Sequence, residues 1–427
     1  MAFADNYLQK RRLFPDFISS HPNSLLEFIV VIPCYDEPNI TQTLDSLKKS
    51  AIKSVFVETL VVINSSQTTP DRILEQNRQT QIEIEQWKKA KASEAFQVHV
   101  VAVQNLNPKE AGVGLARKIG MDEAIARFNK INNPQGVILS LDADTICDDN
   151  YFREVKKFYA TNPTAKACTI YYEHPTSGTS FPKEIYRSIM QYELYLRYYI
   201  QGLRYANFPY AFHTIGSAFS LKASVYAKQG GMNRRQGGED FYFLQKIIPL
   251  GNFYELNTTK VIPSPRPSAR VPFGTGPAVK EIAASGGEYL TYNPLVFKDI
   301  RVFLQKKDVL FKIEPHAIDA AFDVFPTMIK DFLRLSDFGN ELQKINNNSP
   351  NLRIFNYRFF QWFTAFRALK FINFAHENLY RKKAISEAAK VLYDELFEKK
   401  LPENVLEQLL EFRRIQKNTP YNFMKQS

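Results

Sequence analysis

Residues 27–37, Glu-Phe-Ile-Val-Val-Ile-Pro-Cys-Tyr-Asp-Glu, indicate the fold class of this chain. The β-branched run that ends at Pro33 is typical of a buried strand. Apolar residues at helical spacing from Asn39 to Lys49 predict a helix, and residues 58–63 predict a second strand. The order strand, helix, strand is typical of a parallel sheet whose faces are covered by helices.

The pattern continues along the chain. We predict strands at 98–104 and 137–141 and helices at 80–92 and 115–129. The fold class is therefore α/β, with a mostly parallel sheet sandwiched by helices on both faces. From about residue 290 the pattern becomes helical and aromatic, interrupted by a predicted loop at 346–350. We expect an N-terminal extension (1–26), a catalytic domain (27–285) and a helical C-terminal region (286–427), because 427 residues exceed one ordinary core.

Composition limits where the protein works and what it binds. Charged residues at 23% and apolar residues at 44% are typical of a folded protein. Three cysteines form neither a disulfide framework nor a paired zinc pattern, which favours a reducing compartment. We find no signal peptide and no apolar run of membrane-spanning length, so we expect a cytoplasmic protein. The net charge of +11 permits an anionic partner, but no nucleic-acid-binding motif accompanies it.

Polar residues follow three of the predicted strands. In open parallel sheets, ligands bind beyond the carboxyl ends of the strands. Tyr35 and Glu37 follow the first strand, Asn64 the second, and Asp142-Ala143-Asp144 the strand at 137–141. Two aspartates at this spacing suit Mg²⁺ or Mn²⁺, which binds one or two carboxylates together with substrate phosphates. Taken alone, the triplet is explained equally well by a polar turn or a helix cap.

The segment Gly112-Val-Gly114-Leu-Ala-Arg117 opens the helix predicted at 115–129. Glycines let backbone approach a ligand closely, and Arg117 or Lys118 could meet phosphate. The segment lacks the third glycine of a dinucleotide fingerprint and does not follow the first strand. A simple helix-entry turn explains the glycines as well.

Glu239 and Asp240 follow Gly237-Gly238 and fall in the first turn of a predicted helix that stops before Gly251. The positive end of a helix dipole favours ionised carboxylates there, which suits a group that accepts a proton from a substrate hydroxyl. Many helices carry acidic residues in this turn without any catalytic role.

Four motifs occur together, and their order carries more information than any one of them. They are Val30–Glu37, Gly112–Arg117, Leu141–Thr145 and Gly238–Asp240. With these motifs, residues 27–280 resemble the family 2 glycosyltransferases with the GT-A fold. The resemblance implies an inverting, metal-assisted enzyme that moves a sugar from a nucleoside-diphosphate sugar to the hydroxyl of a carbohydrate or lipid-linked acceptor, in glycan or glycolipid synthesis.

The resemblance also implies roles for individual residues. Asp240 would be the general base and Glu239 would orient the acceptor, with Gly216 and Ser217 on the acceptor side. Asp144, with Asp142, would hold the metal. The implied donor-binding residues are Pro33, Tyr35, Glu37, Asn64, Gly114, Arg117, Asp142 and Ala143.

Two features depart from the family pattern. Asn64 stands where the family usually has an acidic pair, which leaves the nucleobase open, and the histidine that often completes the metal site is missing. In its place is a proline-rich segment that contains Arg266 and Arg270. This segment could close over a diphosphate and supply fixed positive charge, or it could be a rigid connector.

Residues 353–383 contain seven Lys or Arg residues and a single acid, Glu377, among many aromatic residues. This composition suits peripheral contact with an anionic membrane surface. Packing of the aromatic residues within a helical region explains it as well.

Two other functions remain open at this stage. One is a retaining transferase on the same fold. The other is a catalytically silent scaffold that binds a nucleotide sugar.

Overall fold

A computed structural model describes residues 2–268, Arg270 and 274–421. The chain divides into two compact units. The first comprises Met1–Ile189, Thr214–Ala284 and Arg414–Ser427, and the second comprises Met190–His213 and Ser285–Arg413. The domain boundaries predicted at residues 26 and 285 stay predictions.

An eight-stranded sheet forms the centre of the first unit. Its strands are β1 (Leu26–Cys34), β2 (Phe56–Ser66), β3 (Phe96–Leu106), β4 (Val137–Ser140), β5 (Thr145–Cys147), β6 (Ala167–Tyr172), β7 (Phe219–Lys222) and β8 (Phe253–Pro263). Their order is β3-β2-β1-β4-β7-β6-β8-β5. The pairs β3–β2, β2–β1, β1–β4 and β6–β8 are parallel, whereas β7 and β5 run antiparallel to their neighbours. The predicted mostly parallel sheet is therefore confirmed.

Ten helices belong wholly or partly to the described part of this unit, namely the end of the last helix of the chain, which is given below, and nine others. The nine others are α1 (Asp5–Arg11), α2 (Ile40–Ser50), α3 (Asp71–Lys91), α4 (Val113–Lys130), α5 (Tyr151–Thr161), α6 (Lys183–Tyr205), α7 (Ala223–Lys228), α8 (Glu239–Ile247) and α9 (Thr275–Ser285). A short 3-10 helix, Ile248–Leu250, extends α8. The helices predicted at 39–49, 80–92 and 115–129 are confirmed, although α3 begins nine residues earlier than predicted.

Helix α4 carries the predicted site residues Gly114 and Arg117 and is deeply buried. Every residue from Gly114 to Phe128 is buried, because the helix packs on β1 and β2 on one side and against α1 and α7 on the others. A Cβ atom at Gly120 would lie 2.5 Å from Val31 and 2.8 Å from Val62, so glycine permits the close approach of helix and sheet. The helix therefore holds Arg117 on a rigid support.

The second unit is mainly helical, which agrees with the predicted helical C-terminal region. Its further helices are α10 (Leu295–Lys306), α11 (Ile318–Ala321), α12 (Thr327–Leu335), α13 (Phe338–Asn347), α14 (Leu352–Trp362), α15 (Ala365–Asn378), α16 (Ile385–Phe397) and α17 (Val405–Asn418), whose last residues belong to the first unit. Short 3-10 helices occupy Lys307–Leu310, Pro315–Ala317 and Phe322–Val324. A two-stranded antiparallel sheet pairs β9 (Leu290–Thr291) with β10 (Lys383–Ala384). The turn between α13 and α14 confirms the loop predicted near residue 348.

Most aromatic residues of segment 353–383 are packed in the core of the second unit. Phe355, Phe359, Phe363 and Phe371 are fully buried, while Phe366 remains 39% exposed. Among the residues that the structure describes, no helix has both the length and the apolarity needed to cross a membrane. The packing explains most of the aromatic pattern, and peripheral membrane contact stays a prediction.

Candidate active site

The predicted site residues of the first unit gather where β1, β2 and β4 end. These strands are parallel neighbours, so their carboxyl ends lie along one edge of the sheet. Pro33 lies within β1 opposite Val62, and Tyr35 and Glu37 follow that strand. The Asp142-Ala143-Asp144 turn follows β4, and the hydroxyl of Thr43 donates a 2.8 Å hydrogen bond to the carbonyl of Ala143. Helix α2 thereby fixes the turn that carries both aspartates.

Arg117 connects the acidic groups on one side of this turn. Its side chain is buried, and its two terminal nitrogens contact the carboxylates of Glu239 and Asp142. Its Nε donates to the hydroxyl of Ser140 at 3.3 Å. These two ion pairs mean that Arg117 positions Glu239 and Asp142. The guanidinium is also a group that can bind an anionic ligand.

Two glycines make room for this arrangement. A Cβ atom at Gly216 would lie 2.4 Å from Nη2 of Arg117, and a Cβ atom at Gly114 would lie 2.1 Å from the carbonyl oxygen of Arg235. The carbonyl of Gly216 also accepts a 2.7 Å hydrogen bond from Ser140. Ser217 follows in the chain and is buried. The predicted acceptor-side residue Gly216 therefore lies directly against Arg117.

The acidic pair at the start of α8 divides into two environments. Glu239 is buried and paired with Arg117, whereas the carboxylate of Asp240 accepts a 2.7 Å hydrogen bond from the backbone amide of Phe241. Burial raises the pKa of Asp240, and the nearby Arg117 lowers it in part. Asp240 therefore takes up a proton more readily than an exposed aspartate does.

Arg266 and Arg270 approach the other side of the same turn. Arg266 contacts the buried carboxylate of Glu37, and its Nη2 lies 3.4 Å from Asp144. Arg270 lies 3.6 Å from the carboxylates of both Glu37 and Asp144, and it donates a 2.8 Å hydrogen bond to the carbonyl of Tyr35. These arrangements place both predicted loop arginines beside the predicted metal ligand. The neighbouring residues Ala269 and 271–273 lie outside the described residues.

The carboxylate of Asp144 is strongly perturbed by its surroundings. Its pKa rises to about 6, first because the partly buried side chain is desolvated and then because Asp142 and Glu37 are nearby. Arg270 and Arg266 oppose that rise. An additional cation beside Asp144 would favour its ionised form further.

Two residues of the predicted set have mainly structural contacts. The side-chain amide of Asn64 donates a 2.9 Å hydrogen bond to the carbonyl of Gly112, so it ties the end of β2 to the start of α4. Lys118, the alternative phosphate contact to Arg117, is instead buried against Asp122, at 2.9 Å. Of these two neighbouring basic residues, only Arg117 reaches the predicted site.

The donor atoms present suit a hard divalent cation in part. Asp142 and Asp144 supply carboxylate oxygens, which Mg²⁺ and Mn²⁺ prefer, and these metals commonly take further ligands from substrate phosphates and water. Within residues 2–268, 270 and 274–421, no group of three or more His, Cys, Asp or Glu side chains is arranged to hold a metal. Asp142 and Asp144 are thus the carboxylates that could hold such a cation, and its other ligands would be phosphate oxygens and water.

Sequence patterns did not reveal three contributors to this site. Ser140 bonds to both Arg117 and Gly216, and Asp36, whose backbone φ is +52°, forms a salt bridge with Arg72 at 2.9 Å. Ser140 falls within the strand predicted at 137–141, and no sequence pattern distinguishes it from an ordinary strand residue. The link between Asp36 and Arg72 joins segments 36 residues apart and has no local signature.

Comparison with known proteins gives one match to a family model. Residues 29–228 match the model described as glycosyl transferase family 2. No curated protein matches the chain. This range contains the motifs at Val30–Glu37, Gly112–Arg117 and Leu141–Thr145, whereas Glu239 and Asp240 lie beyond it.

Two solved structures illustrate the similarity at the level of whole chains. S. aureus TarS 1-349 in complex with UDP-GlcNAc has 15% sequence identity and a TM-score of 0.40, with 78% of this chain and 90% of that chain covered. Glucosyl-3-phosphoglycerate synthase from Mycobacterium tuberculosis, in complex with Mg²⁺ and UDP, has 13% identity and a TM-score of 0.33, with 54% and 69% covered. Because both TM-scores are low, the assignment rests on the family match. Residues 29–228 form a glycosyl transferase family 2 domain, and the chain is a glycosyltransferase.

Proposed function

We propose that this glycosyltransferase moves a sugar from a nucleoside-diphosphate sugar to an acceptor hydroxyl by direct displacement, which inverts the anomeric centre. The observation that carries the proposal is the difference between the two acids of α8. Glu239 is neutralised by Arg117, whereas Asp240 accepts a hydrogen bond from the backbone amide of Phe241 and keeps a raised pKa. A carboxylate with this environment suits a general base.

The donor diphosphate lies, in this proposal, between Arg117 on one side and Arg266 and Arg270 on the other. Pro33, Tyr35 and Glu37 border the nucleoside, because they follow β1 at the same edge of the sheet. When phosphate enters, the arginines exchange contacts with Glu37, Asp142 and Asp144 for contacts with phosphate oxygens. Fixed positive charge then stabilises the leaving diphosphate.

Asp144 and Asp142 are the residues that would hold Mn²⁺ or Mg²⁺. A bound divalent cation would neutralise negative charge on the departing diphosphate. Asp240 accepts the proton of the acceptor hydroxyl, and Glu239 keeps Arg117 in place beside it. Gly216 and Ser217 border the acceptor, because Gly216 lies against the guanidinium of Arg117, which contacts Glu239 next to Asp240.

The acceptor in this proposal is a carbohydrate or a lipid-linked glycan in the synthesis of a glycan or glycolipid. Segment 353–383 supports contact with an anionic membrane surface on the cytoplasmic side through its basic residues and the exposed Phe366. Tyr357 is also exposed on this segment.

The replacement Asp240→Asn tests the base. Donor binding should survive, while turnover should fall by about 10²- to 10⁴-fold, the usual contribution of general-base catalysis. Product formation from a panel of nucleotide sugars and acceptors is measured, and the anomeric configuration is read by proton NMR. Unchanged turnover in the variant would remove Asp240 from the mechanism. Retention of the anomeric configuration by the parent protein would favour the retaining alternative. Absence of both transfer and donor hydrolysis in the parent protein would favour the scaffold.

The replacement Asp144→Asn tests the metal assignment. Mn²⁺ should increase the affinity of the parent protein for a nucleotide sugar, and the variant should lose that increase. Asp149→Asn is the matched control, because Asp149 is exposed and pairs with Lys49 at 2.8 Å. Full retention of the metal effect in Asp144→Asn contradicts the assignment.

A further inference from the structure

A cavity of about 410 Å³ lies within the second unit among α13, α14 and α15. This volume falls in the range of about 300–1,000 Å³ that is common for small-molecule sites. Its lining includes Lys344, Arg358, Arg367 and Lys370 and a single acid, Glu341. The cavity therefore has a formal charge of +3 from these side chains.

Three of the four cations lack a carboxylate partner. Lys344 pairs with Glu341 at 2.7 Å. Within the part of the chain that the structure describes, Arg358, Arg367 and Lys370 have no acidic group within salt-bridge distance. Cations that are gathered around a cavity without internal neutralisation favour an anionic ligand.

Aromatic rings hold two of these cations in place. The guanidinium of Arg367 lies 4.2 Å from the centre of the Trp362 ring, and the ammonium of Lys370 lies 4.9 Å from the centre of the Phe366 ring. Such contacts restrict the side chains without neutralising their charge. The positive groups are thus oriented before a ligand arrives.

The beginning of α15 adds to the positive potential. Thr364 caps this 14-residue helix by accepting a 3.3 Å hydrogen bond from the amide of Arg367, and both residues line the cavity. The first turn of a helix presents backbone N–H groups and the positive end of the dipole to an anion.

Unpaired donors in the cavity wall provide an independent observation. The side chain of Trp362 is only 8% exposed, yet its indole N–H finds no acceptor among the described residues. The buried Nε of Arg358 also has no acceptor in that part of the chain. A buried donor without a partner is unfavourable, so a shift of these two side chains toward a ligand with several acceptor oxygens would be favoured.

We propose that this cavity binds a phosphate group carried by an organic molecule. A phosphate ester offers several acceptor oxygens and up to two negative charges, which match the forked donors of Arg358 and Arg367. The cavity is larger than the phosphate group alone needs, so the remaining volume takes the organic part. This site uses none of the residues assigned above to sugar transfer, and the proposal does not depend on that reaction.

The test uses the full chain and three probes. Inorganic phosphate and glucose 6-phosphate are titrated by isothermal calorimetry, and vesicles of phosphatidylcholine with or without phosphatidic acid are tested by co-sedimentation. The cavity variant is Arg358→Gln with Arg367→Gln. The control is Lys399→Gln with Lys400→Gln, which removes the same charge from exposed positions of the same unit.

Binding of at least one phosphate probe should be at least about tenfold weaker in the cavity variant and unchanged in the control, since the variant loses two charged hydrogen-bond donors. Preference for glucose 6-phosphate identifies a soluble ester, and preference for phosphatidic acid identifies a lipid headgroup. Lys344→Gln with Lys370→Gln replaces exposed cations and serves if the first variant does not fold. Failure of all probes to bind, or equal binding by cavity and control variants, overturns the proposal.

Discussion

Arg117 and Glu239 form a buried salt bridge between the N-terminal part of α4 and the first turn of α8. The two side chains are only 4% and 2% exposed, although they are 122 residues apart in the chain. Helix α4 is packed on the sheet. The salt bridge therefore holds the first turn of α8, which contains Asp240, in a fixed position. A buried ion pair of this kind is sensitive to loss of either partner.

The replacement Arg117→Met should lower the free energy of unfolding by about 3–5 kcal/mol, because it leaves the carboxylate of Glu239 buried without its partner. Urea denaturation followed by circular dichroism measures this change. The double variant Arg117→Met with Glu239→Gln should recover part of the lost stability. A double variant as unstable as the sum of the two single variants would mean that the pair does not interact energetically.

The replacement Gly216→Ala should disturb Arg117 directly. A Cβ atom at this position would lie 2.4 Å from Nη2 of Arg117, so the guanidinium must move away from Asp142 or Glu239. We expect a loss of about 1–3 kcal/mol in stability, as for other overpacked sites, together with slower sugar transfer.

Gly339→Ala is the matched control for this substitution. Gly339 lies in α13, and its nearest neighbour to a new Cβ would be Ile318 at 3.7 Å. Alanine there should be neutral or stabilise the protein by up to about 1 kcal/mol, because it favours helix. If Gly216→Ala behaves like the control in thermal unfolding and in transfer assays, the steric argument is wrong.

Local patterns predicted the elements of the sheet but not the pairing of charges around it. The apolar runs near Val30 and Ile138 and the helical spacing after Asn39 led to correct elements, because burial imposes a periodicity on consecutive residues. In contrast, the link between Asn64 and Gly112 depends on three-dimensional proximity. The amide of Asn64 supports the backbone at this point, and its predicted part in donor binding stays a prediction.

The sequence of the aromatic segment 353–383 likewise did not show which of its faces are buried. The spacing of Phe355, Phe359 and Phe363 is helical, but spacing alone does not say whether such a face meets lipid or protein. The structure buries all three residues. Their basic neighbours Arg358 and Arg367 line a cavity that no sequence pattern indicated.

The double replacement Arg266→Gln with Arg270→Gln decides between a phosphate-binding loop and a rigid connector. Both arginines lie within 4 Å of Asp144, so we expect them to release this carboxylate and bind phosphate when a donor enters. Affinity for inorganic pyrophosphate should fall by more than about tenfold, since charge-assisted hydrogen bonds are among the strong ones. Calorimetric titration at low and high salt gives the measurement.

Arg78→Gln with Arg153→Gln is the control for this experiment. Both arginines are exposed and pair only with neighbouring acids of their own helices, Glu75 and Glu154. Equal pyrophosphate affinity in the loop and control variants would support the connector instead.

His99 should make the stability of the first unit depend on pH. It lies in β3 opposite Leu60, and burial, with Arg127 and Lys88 nearby, lowers its pKa to about 4. An unfolded histidine has a pKa near 6.5, so the unfolded chain binds the proton more readily between these values. The stability contributed by neutral His99 is therefore complete above about pH 6.5 and is lost as the pH falls toward 4, by at most about 1.4 kcal/mol per pH unit.

In urea denaturation at a series of pH values, His99→Gln should flatten this dependence, whereas His316→Gln, which replaces an exposed histidine, should leave it unchanged. The same slope in His99→Gln and the parent protein would show that other groups cause the acid sensitivity.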